Sequence, residues 1–182
     1  NDLQLFESVA RAALPLLPDF DGRHLANLVR PYAYAKIVPK LDNGRTFFDE
    51  VAEVTIPQVK SLTPQNMANI VWAYATTEQS HPALFSAISK EALPRLKEFS
   101  AKQLSNLAWA LSKDPPEDKE LIFDMIASEV VRRGLETFTS QGMTMMAHSF
   151  ATVSHKSDDK FWDIVENSVL ERAAEFGHLE CV

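Results

Sequence analysis

Cysteine is almost missing from this chain. The one thiol, Cys181, stands second from the end, so neither an internal disulfide framework nor a multi-cysteine metal site is available, and a reducing compartment is implied. Glycine is scarce, at 5 of 182 residues, and β-branched residues are thinly spread, which argues against a sheet-based fold. No apolar run approaches the ~20 residues of a membrane-spanning helix; the longest, at residues 70–75 and 107–111, are short. The chain is therefore expected not to span a membrane. Asn1-Asp2-Leu3-Gln4 does not read as a signal or transit peptide, since it runs straight into an apolar periodic segment. It also begins without Met, which reads as a processed protein or a piece of a longer one.

Recognisable catalytic chemistry is missing too. His24, His81, His148, His155 and His178 show no H-E-x-x-H or other paired-ligand spacing, and there is no G-x-S-x-G, no glycine-rich phosphate loop and no Cys/His couple. The expectation is a protein that is not an enzyme and takes no metal, no cofactor and no small-molecule substrate. Net charge is −7, which argues against indiscriminate affinity for polyphosphate. The charge is uneven: residues 1–46 carry six basic and five acidic groups and residues 84–120 six of each, against one and four in residues 47–83. Any basic face belongs to the first and third of these segments.

What the chain does have is hydrophobic content of 46% with charged residues at 24%, the composition of a folded protein rich in helix formers, and a strong internal repeat. Leu84-Phe85 followed by Ala92-Leu93-Pro94 repeats Phe47-Phe48 followed by Thr55-Ile56-Pro57, 37 residues on, and Leu5-Phe6 with Ala13-Leu14-Pro15 is an earlier copy. Thr63-Pro64-Gln65-Asn66-Met67-Ala68-Asn69-Ile70-Val71-Trp72-Ala73-Tyr74-Ala75 likewise precedes Ser100-Ala101-Lys102-Gln103-Leu104-Ser105-Asn106-Leu107-Ala108-Trp109-Ala110-Leu111-Ser112 by 37 residues. Degenerate copies start at Arg23 and Ser140, and Phe161-Trp162 opens a last, partial one.

Each unit reads as two helices. Phe48, Val51, Thr55 and Val59 keep helical spacing behind a Thr46 N-cap, and Pro15, Pro57 and Pro94 should kink or end the first helix. Thr63 and Ser100 are N-caps of the second, with Pro64 at its first position. One hairpin cannot bury both apolar faces, so the prediction is an all-α, right-handed α-solenoid of about four to five helix-turn-helix repeats, a single domain over residues 1–182. The repeats fall at about 3–46, 47–83, 84–120 and 121–160, with a partial unit at 161–182.

Opposite the core stripe of Met67, Ile70 and Val71, the second helix is expected to show Asn66, Asn69, Ala73 and Thr76, matched by Gln103, Asn106, Ala110 and Lys113 in the next unit and by His24 and Asn27 in the first. A recurring amide offers both a donor and an acceptor to a linear polymer. Alternatively Asn27, Asn69 and Asn106 tie one repeat to the next through a loop carbonyl, leaving Asn66, Gln103 and His24 as the more exposed contacts. Trp72 and Trp109 read as inter-repeat core rather than base-stacking platforms, Met143, Met145 and Met146 as adaptable core, and Asp114-Pro115-Pro116-Glu117-Asp118 as a solvated loop.

The 37-residue period carrying Gln65-Asn66-Met67-Ala68-Asn69-Ile70-Val71-Trp72-Ala73-Tyr74-Ala75 and Gln103-Leu104-Ser105-Asn106-Leu107-Ala108-Trp109-Ala110-Leu111 resembles the heptatricopeptide and octotricopeptide class of helical repeats, related to the FAST-type repeats of organellar RNA regulators. The likeness spans residues 5–160 and is strong from 47 to 113. It implies an α-solenoid in a mitochondrion or chloroplast, with single-stranded RNA as ligand and a role in RNA stability, processing, translation or ribosome assembly. No segment resembles the RAP domain that commonly follows such repeats, so that domain's nuclease-like activity is not expected. RNA would be read through amides with help from Arg23, Arg30, Lys102 and Lys113. The alternative is a non-catalytic scaffold subunit of a large organellar complex such as a ribosome, respiratory complex or photosystem, docking through an exposed Phe161 and Trp162.

Overall fold

The computed structural model describes residues 2–154 and 159–172, and every regular element among them is helical. The α-helices are α1 (Asp2–Ala13), α2 (Gly22–Ala35), α3 (Phe47–Thr55), α4 (Pro64–Thr76), α5 (Pro82–Ala92), α6 (Ala101–Lys113), α7 (Lys119–Arg133), α8 (Ser140–Thr152) and α9 (Asp159–Glu171). None is long and apolar enough to cross a membrane. His155, His178 and Cys181 lie outside the described residues.

Proline sets the break inside the first three odd-numbered helices. α1, α3 and α5 each tighten into a six-residue 3-10 turn, Leu14–Asp19, Ile56–Ser61 and Leu93–Glu98, whose second residue is Pro15, Pro57 or Pro94. A ring nitrogen there has no proton for the preceding carbonyls, so the α-helical ladder stops and the chain turns. α7 has no such proline and runs unbroken for 15 residues.

Side-chain caps start the even-numbered helices. Thr63 accepts from the Asn66 N–H at 3.2 Å, Ser100 from Gln103 at 3.3 Å, and Thr139 from Gly142 at 3.1 Å, while Asp21 accepts from Arg23 and His24 at 2.9 Å each. Thr46 and Asp49 form the equivalent reciprocal cap on α3. Pro64 occupies the first turn of α4 as the sequence predicts.

Even-numbered helices pack on one another in order, α2 on α4, α4 on α6 and α6 on α8. The odd-numbered helices and their 3-10 turns do the same on the other side, with α3 on the first turn, α5 on the second, α7 on the third and α9 on α7. The core lies between these two rows. It repeats an edge-to-face aromatic pair: Phe6 with Tyr32 at 4.9 Å, Phe48 with Tyr74 at 5.0 Å and Phe123 with Phe150 at 5.0 Å. The two buried phenols donate to backbone, Tyr32 to the Phe6 carbonyl and Tyr74 to the Phe48 carbonyl. Burial pushes Tyr32 up to about 12 and holds Tyr74 well above the ordinary phenol value.

A second recurring contact joins the rows. Arg95 Nη1 donates to the Leu62 carbonyl at 3.0 Å, Arg133 Nη1 to the Phe99 carbonyl at 2.8 Å, and Arg172 Nη1 to the Phe138 carbonyl at 2.7 Å. In each case the acceptor is the residue just before an N-cap. Gln58 does the same at the Phe20 carbonyl, 3.0 Å away. Each contact thus satisfies a carbonyl at the entry to an even-numbered helix with a side chain 33 to 38 residues further along.

Phe161 is fully buried rather than exposed, because it stacks on Phe150 at 4.3 Å and 23°, and only Trp162 beside it reaches the surface. Asp114 is half-buried rather than simply solvated: its carboxylate accepts from Ser80 Oγ and from the His81 N–H, each at 3.0 Å, and so fixes the entry to α5.

Candidate functional site

The surface of the even-numbered row is set by which residues the core leaves outward. Ala73 and Ala110, expected on the outer strip, are fully buried, their small side chains lying where α4 and α6 pack against their neighbours. The outward strip is turned by about one residue and runs Arg23, Asn27, Arg30, Tyr34 on α2 and Gln65, Asn69, Trp72, Thr76 on α4. It continues as Lys102, Asn106, Trp109, Lys113 on α6 and Gln141, Met145, His148, Thr152 on α8. All of these residues are half-buried or exposed. The i, i+4, i+7, i+11 spacing is that of one helical face, so the four helices present four residues each.

Asn27, Asn69 and Asn106 form one line across this face, and their side chains make no hydrogen bond to another described residue. The inter-repeat tie considered for them is absent among the described residues; Arg95, Arg133, Arg172 and Gln58 perform it instead. Asn66, Asn69, Gln103 and Asn106 are all half-buried, while His24 and Asn27 are exposed. His24, Asn66 and Gln103 share the third position of their helices, where the caps engage them. Gln103 Oε1 accepts from the Ser100 N–H at 2.8 Å, and His24 Nδ1 receives the Asp21 N–H at 3.4 Å. Asn66 lies against Gly22, where a Cβ would sit 3.1 Å from its amide nitrogen.

Trp72 and Trp109 are not closed into the core. Both are half-buried, with one side packed on the core and the rest at the surface. Tyr34, 67% exposed, packs on Trp72 at 5.2 Å and 52°. Arg30 lies 5.7 Å from the Tyr34 ring centre and donates from Nη2 to its hydroxyl at 3.3 Å, while Lys113 Nζ lies 5.7 Å from the Trp109 ring centre. The Arg30 hydrogen bond, with the charges of Arg30 and Lys102, holds the Tyr34 phenol below its ordinary pKa despite some desolvation.

Arg30, Tyr34, Asn69, Trp72, Lys102 and Asn106 line one groove of about 380 Å³, closed on the α8 side by Gln141, Gly142 and Met145. No carboxylate lines it. Gly142 lets α8 come close here, since a Cβ would meet Ser105 Oγ at 3.0 Å. Met143 and Met146 are buried as expected, but Met145 faces the groove. A neighbouring cavity of about 410 Å³, lined by Lys36, Trp109 and Lys113 with Glu78 and Asp114, continues the face toward the helix C-termini. A larger hollow of about 500 Å³ beside the 36–46 connection is lined by Glu50 and Glu53, whose carboxylates pair with Arg45 at 3.4 and 3.2 Å.

Charge separates by row. α2, α4, α6 and α8 contain Arg23, Arg30, Lys102 and Lys113 and not one Asp or Glu. None of these four cations forms an ion pair among the described residues. The odd-numbered helices and their 3-10 turns carry acidic residues throughout, and three of their arginines pair with them: Arg95 with Glu91 and Glu98, Arg132 and Arg133 with Glu129. The net charge of −7 is thus no guide to this face.

Sequence reasoning named Asn27, Asn69, Asn106, Arg23, Arg30, Lys102 and Lys113, all of which share the even-row surface. It missed Tyr34, Gln65, Gln141 and Met145. The step of four residues back from each strip asparagine lands on Arg23, Gln65 and Lys102 in turn, which finds Gln65, and the step of seven residues on from Asn27 lands on Tyr34. No protein-family model matches the chain, and no curated protein matches it.

Proposed function

We propose that the chain is a right-handed α-solenoid of about four to five repeats, acting in a mitochondrion or chloroplast, that binds single-stranded RNA along the surface of its even-numbered helices. The observation that carries this reading is the composition of that surface. It has unpaired cations, amides with free donors and acceptors, half-exposed aromatic rings and no carboxylate on any of its four helices. Phosphates are met by Arg23, Arg30, Lys102 and Lys113, and bases by rings and amides, the division of labour by which proteins hold unpaired strands. The resemblance to heptatricopeptide and octotricopeptide repeats supports the same ligand and compartment. Catalysis is not part of the proposal.

The test is binding of the chain to a pool of single-stranded RNA at two salt concentrations. Four phosphate contacts would give a log–log salt slope of about −3. Absence of binding at low salt would remove the RNA reading. A protein-scaffold role in an organellar complex would then take its place, favoured by Leu5, Val9 and Leu16, which stand exposed along α1 and the 3-10 turn that follows it.

A further inference from the structure

The strip contains a smaller unit repeated in full only twice. On α4 it is Asn69 with Trp72 and on α6 Asn106 with Trp109, an amide and an indole one helical turn apart on the same face. α4 and α6 pack directly on each other, so the two units are neighbours. Asn69, Trp72 and Asn106 share one groove, and Trp109 lines the cavity beside it. On α2 the equivalent pair is Asn27 with Arg30, and on α8 it is Met145 with His148, which has no amide.

We infer that these two units form adjacent base subsites that select purines over pyrimidines, so that the preferred ligand is a purine-rich single strand; this rests on the RNA reading above. A carboxamide presents one acceptor and one donor side by side. Adenine answers with the N6 amine, which donates to Asn Oδ1, and N7, which accepts from Asn Nδ2. Guanine offers two acceptors, O6 and N7, on that edge, but its Watson–Crick edge, open in a single strand, presents O6 beside the N1–H donor and answers the amide as well. Cytosine and uracil also present a donor beside an acceptor, but their single ring covers less of an indole than a purine does. A purine satisfies both the amide and the ring.

Labelled oligomers of equal length, oligo(A), oligo(U) and oligo(C), would be titrated with the intact chain at two salt concentrations. A fourth oligomer would carry purine riboside, a purine without the 6-amino group, in place of adenosine. Oligo(A) should bind at least about tenfold more tightly than either pyrimidine oligomer and about tenfold more tightly than the purine-riboside oligomer. In an N69A/N106A variant with an unchanged melting temperature, the adenosine and purine-riboside oligomers should bind alike, with the salt slope kept. Equal binding of all four oligomers, or a pyrimidine preference, overturns purine selection and leaves RNA binding standing. No binding of any oligomer at low salt overturns both. The purine-riboside comparison uses the unaltered chain, so it holds even if the variant does not fold.

Discussion

A single carboxylate shows how strongly this protein separates structural from free charge. Glu129 is nearly buried and receives hydrogen bonds from Arg132 Nε and Nη2 at 2.8 and 2.7 Å and from Arg133. The Arg132 hydrogen bonds, opposed by burial and reinforced by Arg133, hold its carboxyl at about 2, below the ordinary 4.5. Because the folded pKa is depressed, the stabilisation is complete above pH 4.5 and is lost as the pH falls toward 2. After allowance for the solvent around Arg132, it amounts to about 2 kcal/mol. The stability gap between the native chain and Glu129→Gln in urea melts should therefore close over that interval; a gap independent of pH would refute the assignment. Arg30 and Lys102, which have no such partner, should act oppositely. Arg30→Ala or Lys102→Ala should leave folding intact and make the salt slope of RNA binding shallower by about 0.7 each, as read from titrations at several salt concentrations. At this scale the shared face of the cations and the strip asparagines was legible, because helical spacing of polar residues is visible in one dimension. It could not say that Gln103 and His24 are engaged by their caps, because that depends on whether a side chain folds back on its own helix.

At the scale of the helix, termination and capping were legible and rotation was not. Pro15, Pro57 and Pro94 mark where α1, α3 and α5 tighten, and Thr46, Thr63 and Ser100 mark where α3, α4 and α6 begin. Ser100→Ala should cost about 1 kcal/mol, measured by chemical denaturation, since the Gln103 N–H loses its acceptor. The sequence placed Ala73 and Ala110 on the open face, yet alanine suits either side of a helix, and only neighbour packing shows that both are enclosed. Glycine gives the reverse case. Gly22 begins α2, and a Cβ there would fall 2.2 Å from Leu62 Cδ2, in a side chain that is itself buried. Gly22→Ala should therefore destabilise the chain by about 1–3 kcal/mol despite the better helix propensity of alanine. A rise in melting temperature would show that Leu62 has room to turn away.

Across the whole molecule, the contacts that hold the rows together span less than one and a half sequence periods. The arginine-to-carbonyl contacts bridge 33 or 34 residues, and the Tyr-to-carbonyl contacts bridge 26. Nothing in the local sequence marks Arg95, Arg133 and Arg172 as a series, because each binds a backbone atom whose identity is silent. Arg133→Ala should be among the most damaging surface-proximal changes, at about 2 kcal/mol in denaturant titrations, since it strands the Phe99 carbonyl and takes one of the two arginines from the nearly buried Glu129. Arg132 makes no bond to that carbonyl, so its removal should cost only its share of the Glu129 pairing.

The division of charge between the two helical rows also makes the protein an electric dipole across its thickness, an attribute distinct from its net charge. In the field of a polyanion such a body experiences a torque, so that it turns its cationic side forward before contact. On a column the same protein should be retained by an anion exchanger through one side and by a phosphate-bearing matrix through the other, at a single pH, despite its pI of about 5.2.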